Sequence, residues 1–291
     1  MKEIAPDVFV ESTYPPYNLV LIKTDKGGIV VDIPPNPVHT MNWLEQARAT
    51  AGGIRYVVLT DASRDRQMAT ALCDLPIIAS EATLRAMQAY DEERAQRDFI
   101  EELSARYPDE VEALDNLEPR KPAIAFNGHF SLYGEPRTFE FEVVDGAALG
   151  SIWILVPDEH LLITGETVVG DAVPPMANTP DSKAWLNTMT ALAHRDEVKL
   201  IVPGRGRAPI RRGEIEPQRE FMRVMRRAAR TLARKSGSGL SLSQTAQELG
   251  QTFFNAQGQK AVKEIKAGLS HLVAEVEAQD VAEEEEAESS S

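Results

Sequence analysis

The sequence predicts an α/β fold in which two packed β-sheets carry helices on their outer faces. Residues 1–79 and 123–204 form two successive blocks of short β-branched runs, and each block ends in a strand followed by a loop. After Gly213 the apolar residues recur at helical spacing. Layers of this kind bury one face of each sheet against the other and leave the outer faces for helices. A chain of 291 residues is long enough to fill such a core.

The first block contains strand signals and one helix. Strands are predicted at residues 8–10, 19–23, 29–33, 54–59 and 76–79. A helix is predicted at 39–51, ended by Gly52-Gly53. Ser80 is expected to cap the next helix, and residues 81–117 read as a charged helical segment interrupted at Pro108.

The second block reads as antiparallel strands separated by turns. The strands are predicted at residues 123–126, 130–133, 138–144, 151–156, 161–164 and 200–202, with turns at Gly128, 134–136 and 157–158. Asp181 is expected to cap a helix that reaches about Ala193.

The C-terminal part is predicted to be helical. The helices are expected at residues 216–235, 243–250 and about 257–278, with Ser241 and Gln244 in a capping-box pattern for the middle one. The composition of residues 279–291 predicts a disordered acidic tail.

Composition and charge exclude several classes of protein. No apolar run approaches the roughly 18 residues of a membrane helix, and the N-terminus lacks the pattern of a secretory signal. The single cysteine, Cys73, allows neither an internal disulfide nor a Cys-rich zinc site. These features predict a cytoplasmic globular protein. The net charge of −14 argues against a general nucleic-acid binder, although residues 205–235 carry 11 basic and 3 acidic side chains.

Four ordered segments resemble the motifs of one enzyme superfamily. They are VFVESTYPPYNLVLIKTDKGGIVVDIPP, IRYVVLTDASRDRQMAT, GAALGSIWILVPDEHLLITGETVV and VKLIVPGRGRAPI. In order, they resemble the first hairpins, the His-x-His-x-Asp-His loop, the Gly-His-Thr to Gly-Asp segment and the Pro-Gly-His-Gly turn of the metallo-β-lactamase superfamily. The resemblance covers about residues 5–210. It implies an αββα sandwich over residues 1–212, with a C-terminal helical extension at 213–278.

Most of the metal-binding residues of that superfamily are absent from the corresponding positions of this sequence. Its members hold two cations through histidines and carboxylates, which together activate a bridging water. Position by position, this chain retains only the aspartate of the first loop, Asp65. The other positions hold Asp61, Ser63, Arg66, Ala147, Glu166 and Arg205. The five histidines lie at least 31 residues apart, and His129 reads as a surface or turn residue rather than a ligand.

The replacements predict an ion-pair network in place of the metals. Carboxylates left close together without cations repel one another, and the guanidiniums of Arg66 and Arg205 can supply the missing positive charge. Two other interpretations remain open. One is unrelated exposed loop charges, and the other is a rebuilt Mg²⁺ or Mn²⁺ site on Asp61, Asp65 and Glu166, with Asp171 as a further ligand. Catalysis without a metal has less support, because Ser63 has no nearby histidine partner.

The helix at 216–235 carries an arginine-rich face. Its predicted apolar face consists of Phe221, Met225, Ala228 and Leu232, and the opposite face of Arg219, Arg223, Arg226, Arg227, Arg230 and Arg234. A core-packing helix with solvated arginines is the simpler interpretation. The alternative is a docking site for an anionic partner.

The leading functional hypothesis is a metal-free, catalytically degenerate protein with a binding, scaffolding or assembly role. The first alternative is a metallo-hydrolase of a small ester, thioester or lactone with a remodelled carboxylate metal site. The second is an anion- or nucleic-acid-binding module that uses the arginine-rich helix. No cofactor is expected under the leading hypothesis; the partner would be a protein or a small anion rather than a membrane, and a homodimer is expected only by analogy.

Overall fold

The structure is a computed structural model. It describes residues 1–89, 119–134, 137–234, 241–254 and 258–289, together with positions 97, 100, 101, 104, 105 and 108. Side chains are described in the same ranges, except at residues 258, 280 and 282–289.

The first sheet has seven strands in the same order in space as in the chain. They are β1 (Lys2–Ala5), β2 (Val8–Glu11), β3 (Leu19–Thr24), β4 (Gly27–Val31), β5 (Ile54–Val58), β6 (Ile77–Ser80) and β7 (Ile124–Phe126). Strands β1 to β4 form an antiparallel meander, and β4 to β7 pair in parallel. The carboxyl ends of the parallel strands therefore meet at one edge of the sheet.

The second sheet has six strands in the order β15-β13-β11-β10-β9-β8. They are β8 (His129–Gly134), β9 (Arg137–Val143), β10 (Ile152–Val156), β11 (Leu161–Ile163), β13 (Leu200–Val202) and β15 (Ile210–Arg211). A separate parallel pair consists of β12 (Val169–Gly170) and β14 (Arg205–Gly206). This pair joins the loop after β11 to the loop after β13.

Seven α-helices are described along the chain. They are α1 (Pro37–Ala51), α2 (Arg64–Ala69), α3 (Glu81–Ala89), α4 (Ser182–Ala193), α5 (Glu216–Arg234), α6 (Leu242–Phe254) and α7 (Gly258–Ser289). Two predicted caps are present, because the Ser80 hydroxyl accepts from the Thr83 amide and the Asp181 carboxylate accepts from the Lys183 and Ala184 amides. Of the predicted capping box before α6, the Ser241 hydroxyl accepts from the Gln244 amide at 3.5 Å, but the Gln244 side chain donates to Glu248 instead.

Three apolar clusters divide the molecule into four layers. Between the sheets, Val20 and Ile22 of the first sheet pack with Phe141 and Ile154 of the second. On the outer face of the first sheet, Trp43 and Leu44 of α1 cover Leu21 and Val57. On the outer face of the second sheet, α4 to α7 bury residues that include Trp153, Trp185, Phe221 and Leu269. The order is helix, sheet, sheet, helix, as the αββα prediction requires.

Several elements differ from the sequence predictions. The polar strand β1 and the short helix α2 were not predicted, because neither has a clear apolar period. The strands β12, β14 and β15 have two residues each, too few for any pattern. Of the predicted charged helical segment, Glu81–Ala89 is helical and most of residues 90–118 lies outside the described part, as do positions 135–136 of the predicted turn.

The last helix runs from Gly258 through Ser289, which includes most of the acidic segment after residue 278. The segment is rich in Glu and Ala, which are strong helix formers, and a helix that is already nucleated extends at little cost. The helices after Gly213 share one apolar cluster with the outer face of the second sheet, so the two regions pack together.

The tryptophans and the cysteine are core residues. Trp43, Trp153 and Trp185 are at most 2% exposed. Cys73 is also buried, and burial raises the pKa of its thiol to about 11. Within the described ranges, no helix has the length and apolar character needed to span a bilayer.

Candidate functional site

The loops that carry the motif residues converge where the parallel strands of the first sheet end. Asp32 directly follows β4 and adopts a positive φ of 59°, which turns the chain toward α1. Thr60 and Asp61 lie just beyond the end of β5, after Leu59. The Thr60 amide donates to Asp32 Oδ1 at 3.0 Å and its hydroxyl to Oδ2 at 2.7 Å, so the two strand ends are joined by hydrogen bonds.

Arg66 lies at the centre of this edge with its side chain only 1% exposed. Its Nη1 donates to both oxygens of Asp61, at 2.9 and 3.1 Å, and to the Ser63 hydroxyl at 3.0 Å. Its Nε lies 2.9 Å from Asp32 Oδ1, an ion pair without the alignment of a hydrogen bond. Nη1 is also 3.9 Å from Glu166 Oε2. One guanidinium therefore stands among three buried carboxylates.

Arg205 reaches Glu166 from β14, in the turn that follows β13 of the second sheet. Its guanidinium pairs with Glu166 Oε1 through both Nε and Nη2. The turn that carries it is held by Asn18, whose side-chain amide donates to the carbonyls of Pro203 and Gly206 at 2.9 and 3.0 Å. Arg205 is thus fixed by backbone contacts as well as by charge.

Tyr17 closes the site from the loop before β3. Its hydroxyl donates to Asp65 Oδ2 at 3.1 Å, and the Arg66 guanidinium lies 4.9 Å from the centre of its ring. That contact is within cation–π range. We call the set Asp32, Asp61, Asp65, Arg66, Glu166 and Arg205 the charged cluster; it contains four carboxylates and two guanidiniums.

Burial controls the protonation of this cluster. Desolvation raises the pKa of Asp32 and of Glu166 above their ordinary values, an effect that Arg66 and Arg205 reduce but do not cancel. Burial opposes the charge of Arg66 as well, yet Asp32, Asp61 and Glu166 raise its pKa well above its usual value. Arg66 therefore remains a cation in the folded protein.

The structure brings most of the motif positions together. Arg66 contacts Asp61, Ser63 and Glu166, and Glu166 pairs in turn with Arg205. Asp65 joins this chain of contacts through Tyr17. Ala147 is instead buried in the apolar cluster between the second sheet and the C-terminal helices. A methyl group there adds to the core and has no charge to contribute.

Two contributors were not among the predicted site residues. Asp32 and Tyr17 both lie within the first segment that resembles the superfamily, but neither was assigned to the site. A carboxylate directly after a buried strand was the available signal for Asp32. No local pattern marks Tyr17, which meets Asp65 across 48 residues of sequence.

The donor set does not fit a binuclear metal centre. Both oxygens of Asp61 accept hydrogen bonds from Arg66, and the same guanidinium lies against Asp32. A divalent cation at these oxygens would lie beside a buried, permanently charged arginine, which repels it. Within the described part of the chain, no three His, Cys, Asp or Glu side chains are arranged to hold a metal ion.

The histidines lie away from the charged cluster in separate settings. His129 is exposed at the start of β8, as predicted. His160, His194 and His271 each place a ring nitrogen at 2.7–2.8 Å from a backbone carbonyl. The ring of His39 lies 4.9 Å from that of Tyr14.

The arginine face of α5 is narrower than predicted. Arg219 is buried, where it pairs with Glu216 and donates to Thr190 at 3.3 Å. Arg226 is largely buried between helices, where it contacts Ser182 and Glu275. These two positions border the apolar side of α5, and polar groups of α4 and α7 receive their long side chains.

The remaining arginines of the helix face solvent. Arg223 is half-buried and pairs with Glu216 and Glu220. Arg227, Arg230 and Arg234 are exposed. On the apolar side, Phe221 and Met225 are buried as predicted, and Met222 and Ala229 complete the buried set, whereas Ala228 and Leu232 are only partly buried.

The architecture is shared with solved metallo-β-lactamase-type structures. A metallo-β-lactamase family protein from Thermus thermophilus matches with a TM-score of 0.66 and 18% identity over 94% of this chain and 95% of that one. A metallo-β-lactamase from Pontibacter korlensis matches with a TM-score of 0.59 and 16% identity, over 76% of this chain and 97% of that one.

A third match is a stereoselective inverting sec-alkylsulfatase from Pseudomonas sp., with a TM-score of 0.64 and 15% identity. It covers 93% of this chain, which spans about half (50%) of the sulfatase. No family model and no curated protein matches the sequence. At these identities the likeness establishes the fold, which is the metallo-β-lactamase fold.

Proposed function

From this metallo-β-lactamase fold we propose a metal-free, catalytically degenerate protein whose role is binding, scaffolding or assembly. The observation that carries the proposal is the placement of Arg66. Its guanidinium contacts Asp32 and Asp61 at 2.9 Å and is 1% exposed. The chain thus supplies a cation of its own at carboxylates that a metal would need.

The charge balance of the cluster supports the same proposal. Carboxylates packed together without cations would raise one another's pKa and destabilise the fold. Arg66 and Arg205 each pair with at least one of them, so the cluster is held by ion pairs. We expect the cluster to stabilise the junction of the two sheets rather than to activate water.

The test is metal analysis of protein purified without chelator, as isolated and after incubation with zinc, iron, manganese or magnesium. We expect less than about 0.1 equivalents of metal in both samples after dialysis. One or two retained equivalents would contradict the proposal and favour the alternative, a metallo-hydrolase with an oxygen-ligand site on Asp61, Asp65 and Glu166.

The variant Asp61→Asn is the matched control for the position of any retained metal. If metal is held at the charged cluster, this substitution removes a ligand and lowers the retained amount. If metal is held by acidic surface groups, the variant retains as much as the wild type. The second result would place the metal outside the charged cluster and would agree with a metal-free cluster.

The exposed arginines of α5 support one second candidate, an anion-binding surface. Arg227, Arg230 and Arg234 form no ion pair with another described side chain, so their charge is available to a partner. Binding of a single-stranded oligonucleotide, followed by fluorescence anisotropy at low and high salt, tests it. We expect salt-sensitive binding that is lost on replacement of the three arginines by Gln. Binding that persists in that variant would contradict the candidate.

A further inference from the structure

A cavity lies between β12 with the loop that follows it and the C-terminal helices α5 and α6. Its volume is about 260 Å³. One wall follows the Glu166 loop and includes Val169 and Pro174, and the other comes from α5 and α6. Sites for drug-sized ligands have volumes of about 300 to 1,000 Å³. This cavity is slightly smaller and therefore suits a smaller ligand.

Aromatic rings form the helical wall. Phe221, Phe253 and Phe254 line the cavity, and the ring centres of Phe253 and Phe254 lie 5.2 and 5.1 Å from that of Phe221. Both rings stand nearly perpendicular to the Phe221 ring, at 75° and 76°. The aromatic surfaces therefore meet at a corner instead of stacking flat. The face of an aromatic ring carries negative potential and attracts cations.

The rim of the cavity is acidic. Asp171 and Glu214 are its ionisable lining residues, and among the described residues no Lys, Arg or His lines it. Arg207 lies outside the lining and pairs with both carboxylates, at 2.6 and 2.8 Å. Among the residues in direct ion pairs, two carboxylates face one guanidinium, and Arg211 also acts on Glu214 without pairing with it. The net charge of −14 adds a long-range attraction for cations.

We infer that this cavity binds a small organic cation with a methylated ammonium group. The partly buried rings of Phe253 and Phe254 receive the methyl groups, with the buried ring of Phe221 behind them. Asp171 and Glu214 attract the charge. The inference rests on the binding role proposed above and names a ligand class for it. It does not depend on the metal content of the charged cluster. Metal analysis can therefore contradict the proposed function without contradicting this inference, and ligand titration can contradict this inference alone.

The test compares two probes of the same shape. Choline and 3,3-dimethylbutan-1-ol differ in that a quaternary nitrogen replaces a quaternary carbon. Each is titrated into the full chain by isothermal titration calorimetry up to about 10 mM, which nearly saturates a site with a Kd of about 1 mM. We expect choline to bind at least about tenfold more tightly than the neutral alcohol. Equal affinity, or no choline binding, would overturn the inference.

Two variants locate the site. Phe254→Leu keeps an apolar wall and removes a ring, and we expect it to weaken choline binding about fivefold. Asp171→Asn removes a rim charge at a side chain that is 67% exposed, and we expect a loss of about threefold with the fold intact. The control Asp74→Asn removes an exposed, arginine-paired charge elsewhere and should bind choline as the wild type does. An unchanged Kd in Asp171→Asn would overturn the inference even if Phe254→Leu fails to fold.

Discussion

Arg66 is the residue on which the charged cluster depends most. Burying a guanidinium costs several kcal/mol, and its contacts with Asp32, Asp61 and Glu166 offset that cost. Its Nη2 is buried without a hydrogen-bond partner among the described residues. Arg66 therefore forms close ion pairs with these carboxylates, but not all of its N–H groups donate hydrogen bonds.

We expect Arg66→Met to lower the free energy of unfolding by about 3–5 kcal/mol, because it leaves Asp32 and Asp61 buried without their cation. The control is Arg85→Met, which removes an exposed pair with Glu81 and should cost no more than about 1 kcal/mol. Denaturant unfolding followed by circular dichroism measures both. Equal losses in the two variants would show that the buried pairs contribute nothing beyond surface charge.

The pKa of Glu166 gives a prediction with a definite sign. Burial raises it in the folded state, so the folded protein keeps this proton to a higher pH than the unfolded chain. The stability of the wild type relative to Glu166→Gln should therefore fall as pH rises from about 4 through the folded pKa. Thermal unfolding of both proteins from pH 4 to pH 8 measures the difference. If the stability of the wild type relative to the variant instead increased with pH, the effect of Arg205 and Arg66 on the pKa of Glu166 would be larger than the effect of burial.

At this scale the sequence predicted which residues replace the histidines but not all of their partners. Asp61, Arg66, Glu166 and Arg205 follow from the motif positions. Asp32 and Tyr17 join them only through contacts between strands that lie far apart in sequence. Ala147 occupies a motif position, yet its side chain belongs to the apolar core.

Among the elements, the Pro203–Gly206 turn determines where Arg205 lies. The Gly204 amide donates to the Gly165 carbonyl at 2.6 Å, which brings the turn against the loop of Glu166. A Cβ on Gly204 would approach the Glu166 amide nitrogen to 2.5 Å and overlap the Gly165 backbone. Only glycine allows this approach, which joins the loops that follow β11 and β13 of the second sheet.

Gly204→Ala should therefore lower the free energy of unfolding by about 1–3 kcal/mol or more, because backbone atoms on both sides must move. Gly213→Ala is the matched control, since a Cβ there meets nothing within 4 Å. We expect that variant to be neutral or stabilised by up to about 1 kcal/mol. Denaturant unfolding compares them, and equal stability of the two variants would contradict the close approach of the turn.

The helices show what periodicity predicts and what it leaves out. The apolar period located α1, α4 and α5 to within two residues of their ends. It did not predict that Arg219 and Arg226 lie inside, because a long charged side chain is buried only if another element offers a partner. Those partners, Thr190 and Glu275, belong to α4 and α7.

In the whole molecule, the charged cluster and the aromatic cavity lie in different parts of the four-layer fold. The charged cluster lies at the junction of the sheets, and the aromatic cavity lies between β12 with the loop after it and the C-terminal helices. Because the cluster supplies its own cations, we expect the melting temperature to change by less than about 1 °C when EDTA is added. Differential scanning calorimetry measures it. A fall that zinc or manganese reverses would contradict a metal-free cluster.

By itself, the sequence determined the α/β class, the two blocks of strands, the helical C-terminal region and the absence of histidine at the motif positions. These depend on local periodicity and on residue identity at motif positions, both of which one chain displays directly. Only the tertiary structure decided that Arg66 lies among Asp32, Asp61 and Glu166, that Arg219 and Arg226 are buried, and that three phenylalanines line a cavity. Charges and rings interact according to distance and burial, and the packing of distant segments sets both.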